Sequence, residues 1–163
     1  MIAVADSSCL IALAMVDMLW LLPLLFSRIV VPEGVYEEVV VRGRERPGSK
    51  ELAEASWFQK VKVPAEAIDF RTEGLGKGEI EVLAVAKTFT NAVVLTDDEL
   101  AWRVAEGMGV PYMRTVELIL VAACRGLIEK ETAAEKIVEL GQKRWIHPNV
   151  VAVALSQLER LPN

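Results

Sequence analysis

Short, wholly apolar runs recur along this chain, and each is followed by residues that start a helix. Ile2-Ala3-Val4-Ala5 is closed by Asp6-Ser7-Ser8 and passes at once into Cys9-Leu10-Ile11-Ala12-Leu13-Ala14. Ala92-Val93-Val94-Leu95-Thr96 is closed by Asp97-Asp98-Glu99 and leads to Leu100, Ala101, Val104, Ala105 and Met108, spaced to share one helical face. Continuous apolar runs without polar alternation read as strands buried on both faces. Three further runs fit the scheme: residues 28–31, residues 110–112, and residues 60–63, whose polar/apolar alternation suits a sheet edge. Helical patterns separate them, one starting at Pro32 with Val35, Val39 and Val40 inward, one over residues 49–56, and one over residues 80–89 opened by Glu79. Strands separated by helices pair in parallel through right-handed crossovers. The expected fold is therefore α/β, a three-layer α/β/α sandwich around a central, mainly parallel sheet of about five strands.

The remaining stretches fill out that frame. Residues 17–26 read as a buried helical piece ended near Pro23, and residues 71–78, with three glycines, as a flexible loop. Helices are expected over residues 115–124, 131–143 and 149–161. A single domain over 1–163 results, with 127–163 as a C-terminal helical extension. The mean hydropathy of +0.33 follows from a sheet covered on both faces. Membrane insertion is disfavoured, because the longest apolar run, residues 10–26, contains Asp17 and Pro23. No basic segment precedes that run as a signal peptide requires, so a cytoplasmic protein with no membrane partner is expected. Cys9 and Cys124 lack metal-ligand spacing and read as buried small hydrophobes. A net charge of −5 excludes a protein that binds nucleic acid with its whole surface, though not a local basic patch.

In open α/β sheets, chemistry sits beyond the carboxyl ends of the strands. Asp6 and the pair Asp97-Asp98 occupy that position after two strands, with Glu37 and Glu38 on the helix after a third and Glu79 after the glycine loop. Each acid also has a plain structural account, since carboxylates stabilise helix N-termini without any further role. Convergence of several in one crevice is costly: two carboxylates about 4 Å apart repel by roughly 4 kcal/mol at an effective dielectric near 20. A cation relieves that repulsion, and an oxygen-only ligand set favours a hard ion, Mg²⁺ or Mn²⁺, of the kind that supports phosphodiester hydrolysis.

Asp6-Ser7-Ser8, Val31-Pro32-Glu33-Gly34-Val35-Tyr36-Glu37-Glu38-Val39, Gly76-Lys77-Gly78-Glu79 and Leu95-Thr96-Asp97-Asp98 together resemble the PIN-domain family, especially its VapC-like toxin ribonucleases. The resemblance covers roughly residues 1–125, and the last helices fit a longer prokaryotic branch. It implies a PIN-like fold and a Mg²⁺- or Mn²⁺-dependent endoribonuclease acting on single-stranded RNA. It further implies a homodimer, often restrained by a small antitoxin protein. Carried onto this sequence, it makes Asp6, Glu38, Glu79 and Asp98 the catalytic and metal-holding acids. Asp97 duplicates the fourth position, so either Asp97 or Asp98 is the metal-facing acid there, and Glu79 stands where many members have aspartate.

Ser7, Ser8 and Thr96 are candidates to orient the carboxylates, or simply to cap helices. Arg42, Arg44, Arg46 and Lys50 crowd into nine positions and are candidates for RNA phosphate contacts. His147, the one histidine, is expected to pack or cap before the last helix rather than act as a base. Trp20, Trp57, Trp102 and Trp145 are expected in the core or an interface. The apolar residues 15–26 suggest a homodimer or antitoxin interface. The alternative to an enzyme is a catalytically silent PIN-like scaffold that binds RNA or a protein partner.

Overall fold

The structure, a computed structural model, describes residues 1–162. Among them, β1 (Ile2–Ala5), β2 (Arg28–Pro32), β3 (Gln59–Val61), β4 (Ala92–Leu95) and β5 (Tyr112–Met113) form one parallel sheet in the order β3-β2-β1-β4-β5. β1 is central and pairs on both sides, and Ala3 to Ala5 and all of β4 are buried, as continuous apolar strands require. The order reverses between β1 and β4, which makes their carboxyl ends the switch point of the sheet. Ala5 lies opposite Leu95, so Asp6 and Thr96 leave the sheet side by side.

α1 (Ser7–Met15), a 3₁₀ turn (Leu19–Leu21) and α2 (Leu22–Leu25) connect β1 to β2. α3 (Glu33–Tyr36), a π-helical turn (Glu37–Val41) and α4 (Ser49–Glu54) lead to β3. α5 (Lys77–Ala86) returns across β2, β1 and β4, and α6 (Glu99–Gly107) joins β4 to β5. Right-handed crossovers in the two directions put these groups on opposite faces, giving the α/β/α sandwich that the alternation predicts. The sheet and these helices, Met1–Arg114, form one compact unit. From Thr115 onward α7 (Thr115–Cys124), α8 (Lys130–Gln142) and α9 (Pro148–Glu159) form a second unit, packed on one another. Asn163, the end of the expected extension, lies outside the described residues.

Several local expectations shift. β5 begins at Tyr112 because Pro111 has no N–H to give the ladder, although its carbonyl accepts from Val94 N at 2.8 Å. α5 begins at Lys77, with Gly76 at its N-cap, so Glu79 is its third residue rather than its first. The helix expected from Pro32 changes pitch at Glu37, whose carbonyl accepts from Arg42 N five residues on. Cys124 is exposed at the end of α7, contrary to expectation, whereas Cys9 is buried. None of the four tryptophans is fully buried, and Trp20 is 47% exposed, so the core placement does not hold. The apolar stretch 15–26 is mostly core, with Trp20 and Leu24 left outside. His147 caps α9, its Nδ1 accepting from Asn149 N at 3.2 Å. Among the described residues no single helix is long and apolar enough to cross a membrane.

Candidate active site

Asp6 is the N-cap residue of α1, yet its side chain makes no capping bond. Burial turns the carboxylate inward: the residue is 1% exposed, and Oδ2 accepts from Ser8 Oγ at 2.7 Å and from Thr96 Oγ1 at 2.8 Å. Each hydroxyl has one proton to give, and both protons point at Asp6. The hydroxyl oxygens then accept from the other strand end, Ser8 Oγ from Asp97 N at 2.9 Å and Thr96 Oγ1 from Asp98 N at 3.1 Å. One network thus ties the ends of β1 and β4 together and aims its donors at a single carboxylate oxygen. Asp6 Oδ1 is buried and has no hydrogen-bond partner among the described residues.

Two opposing forces act on this group. Burial raises its proton affinity above that of an ordinary aspartate, and the charge of Glu38 adds to the rise. Ser8, Thr96 and the Ser7 backbone amide pull the other way, and burial prevails. Donors are arranged for an anion in a place that penalises anions. An unpartnered buried acceptor is expensive, and a proton or a cation at Oδ1 would relieve it.

Glu79 is half-buried at the start of α5, where its Oε2 accepts from Gly76 N. Its proton affinity is also raised, first by burial and then by the charges of Asp6, Asp98 and Glu38. Asp98 caps α6, its Oδ1 accepting from Ala101 N at 2.8 Å. Glu38 extends from the π-helical turn to Gly78 on α5, where a Cβ would stand 2.8 Å from its Oε1, and Arg42 lies 3.9 Å from the same oxygen. The charges of Asp6, Asp98 and Glu38 therefore reach Glu79, and that of Glu38 also reaches Asp6. The four acids are not a ready-made cage: among the described residues no three His, Cys, Asp or Glu side chains are grouped to hold a metal ion.

The supporting residues divide. Ser8 and Thr96 hold Asp6 directly, whereas Ser7 contributes its backbone amide. Asp97 gives its amide to Ser8, and the carboxylates that act on Glu79 are those of Asp6, Asp98 and Glu38. Glu37 points away to Lys77, 3.7 Å distant. Arg42, Arg44, Arg46 and Lys50 are all exposed, and Arg42 alone reaches a site acid. Gly78, expected within a flexible loop over residues 71–78, lies instead within a helix, and its lack of a side chain is what lets Glu38 approach α5. A glycine directly before a candidate acid is the one available signal.

A family model described as a PIN domain matches residues 2–160, nearly the full length. No curated protein matches the chain significantly.

Proposed function

The chain belongs to the PIN-domain family, in general a family of nucleases that act with divalent metal ions, and from that premise we propose a Mg²⁺- or Mn²⁺-dependent endoribonuclease of the VapC-like toxin type. Its substrate is single-stranded RNA, cleaved by phosphodiester hydrolysis in the cytoplasm. The observation that carries this reading is Asp6 Oδ1, a buried oxygen without a hydrogen-bond partner among the described residues, with the charge of Glu38 acting on Asp6 and those of Asp6, Glu38 and Asp98 acting on Glu79. The donor set is oxygen throughout, the chemistry of a hard cation, and Mg²⁺ takes one or two carboxylates directly and keeps several waters, so it does not require three side chains grouped around it. Asp6 would hold the ion, with Glu38, Glu79 and Asp98 around it. When bound, the ion neutralises phosphate charge and lowers the pKa of a water.

The protein supplies the rest. Ser8 and Thr96 fix Asp6 Oδ2, which leaves Oδ1 facing outward from the network. Gly76 engages Glu79 Oε2, which leaves Oε1 as the atom that would take a proton from the attacking water. Arg42 beside Glu38, with Arg44 and Arg46 on the loop that follows and Lys50 at the start of α4, offers phosphate contacts near the acids.

Incubating structured and unstructured RNAs with Mn²⁺, with and without EDTA, tests the reading. Internal cleavage abolished by EDTA and by Asp6→Asn is the expected result. The silent scaffold draws support from the capping work of Asp98 and Glu79. Absence of product from every RNA would favour it. A homodimer and a small antitoxin are the partners this reading carries, and light scattering at high concentration tests the first.

A further inference from the structure

Glu79 and Glu81 lie two residues apart on α5, about 200° around the helix, so they face different neighbours. Glu79 faces the acids. Glu81 faces α3, where its Oε2 accepts from Gly34 N at 2.7 Å and its side chain is only 13% exposed. α3 has no cap of its own: its N-cap residue is Pro32, whose ring offers no acceptor. Glu81 supplies that cap from another element. A Cβ on Gly34 would stand 2.6 Å from Glu81 Oε2, so glycine at this position is what admits the carboxylate.

The same two elements meet at two further points. Lys77 Nζ lies 3.7 Å from Glu37 Oε2, an exposed pair that adds little energy, and 4.0 Å from Glu81 Oε1. Glu38 rests against Gly78. Residues 77, 78 and 81 of α5 thus engage 37, 38 and 34, which sets α3 and its π-helical continuation in one register on α5. Among these three meeting points the Glu81–Gly34 bond is the sheltered one.

We propose that Glu81 is a positioning residue: it caps α3 from α5 and so holds Glu38 beside Glu79, fixing the spacing of the acidic site. The proposal rests on the ribonuclease reading for its functional consequence, but its structural part is testable without metal or RNA. Glu81→Gln keeps an oxygen of the same reach and loses the charge, whereas Glu81→Asp keeps the charge and falls a methylene short. Amide exchange is followed on the metal-free full chain, and Mn²⁺ binding is followed by electron paramagnetic resonance in the absence of RNA. In Glu81→Asp and Glu81→Ala, exchange at Gly34 is expected to rise about tenfold or more as the bond disappears. Mn²⁺ affinity is expected to fall about tenfold or more in both. Glu81→Gln keeps a weaker, neutral acceptor in place and is expected to lose clearly less than Glu81→Asp or Glu81→Ala on both measures. Wild-type binding by Glu81→Asp, or a weakening in Glu81→Gln equal to that of Glu81→Ala, overturns the proposal and assigns Glu81 to charge alone. Should Glu81→Ala fail to fold, the Asp and Gln pair decides by itself. A wild-type chain that binds no Mn²⁺ sinks the ribonuclease reading instead, and unchanged Gly34 exchange in Glu81→Asp sinks the positioning role independently.

Discussion

Asp6 and Asp98 invite direct comparison. Both are aspartates at the N-cap of a helix that follows a buried parallel strand, and both have extended backbone. Asp98 does what that position predicts, accepting from Ala101 N. Asp6 does not, because Ser8 and Thr96 draw its carboxylate under the turn and leave one oxygen without a partner. The difference lies in the neighbours. β1 is central and β4 lies beside it, so Thr96 reaches Asp6 from across the sheet. Identical local signatures therefore yield a cap at one strand end and an unpartnered acceptor at the other.

Substitutions can widen or erase that contrast. Asp6→Asn, which keeps the shape and removes the charge, is expected to lower Mn²⁺-dependent RNA cleavage by about a hundredfold or more while circular dichroism stays unchanged. Thr96→Val removes the donor to Asp6 and the acceptor for Asp98 N together. It should cost about 1–3 kcal/mol by chemical denaturation, since buried groups go unpaired on both sides of the network. Asp98→Ala removes the cap and should cost about 0.5–2 kcal/mol, whereas Asp98→Asn keeps it. A cleavage defect in Asp98→Asn at unchanged stability would separate its part in the site from its part in the helix.

The pH dependence of stability sharpens the same contrast more finely. Asp6 binds its proton more tightly in the folded chain than in the unfolded one, so the unfolded state releases that proton first as pH rises. Its contribution to stability is present below the ordinary aspartate value and is lost as pH climbs through the raised one. Relative to Asp6→Asn, the metal-free wild type should therefore lose stability across that window, and added Mn²⁺ should restore it. Equal slopes for the two proteins would remove the conflict inferred at Oδ1. The smallest effect concerns the basic loop: changing Arg42, Arg44 and Arg46 all to Ala should lower the salt slope of RNA binding by about 0.7 for each phosphate the loop no longer neutralises.

Much of the fold was legible because its causes are local. Continuous apolar runs such as residues 92–95 need burial on both faces, and the helices between strands force parallel pairing. Edges were less legible: β3 and β5 are short and exposed or half-exposed, so little apolar pattern marks their limits. The acids could be named from their places after strands and from the family resemblance. How each is held could not. Gly78 looked like flexibility, and only the packing of Glu38 against it shows a requirement for empty space. Glu81 carried no signal at all, because its partner is a backbone amide 47 residues away.

By itself, then, the amino-acid order determined a parallel α/β sheet and a set of carboxylates beyond its strand ends, since both follow from short-range patterns of apolarity and capping. Tertiary structure alone decided which carboxylate is a cap and which is a buried acceptor with one oxygen left unpartnered among the described residues. That choice depends on what stands opposite, and the crossover that brings Thr96 beside Asp6 joins residues 90 positions apart.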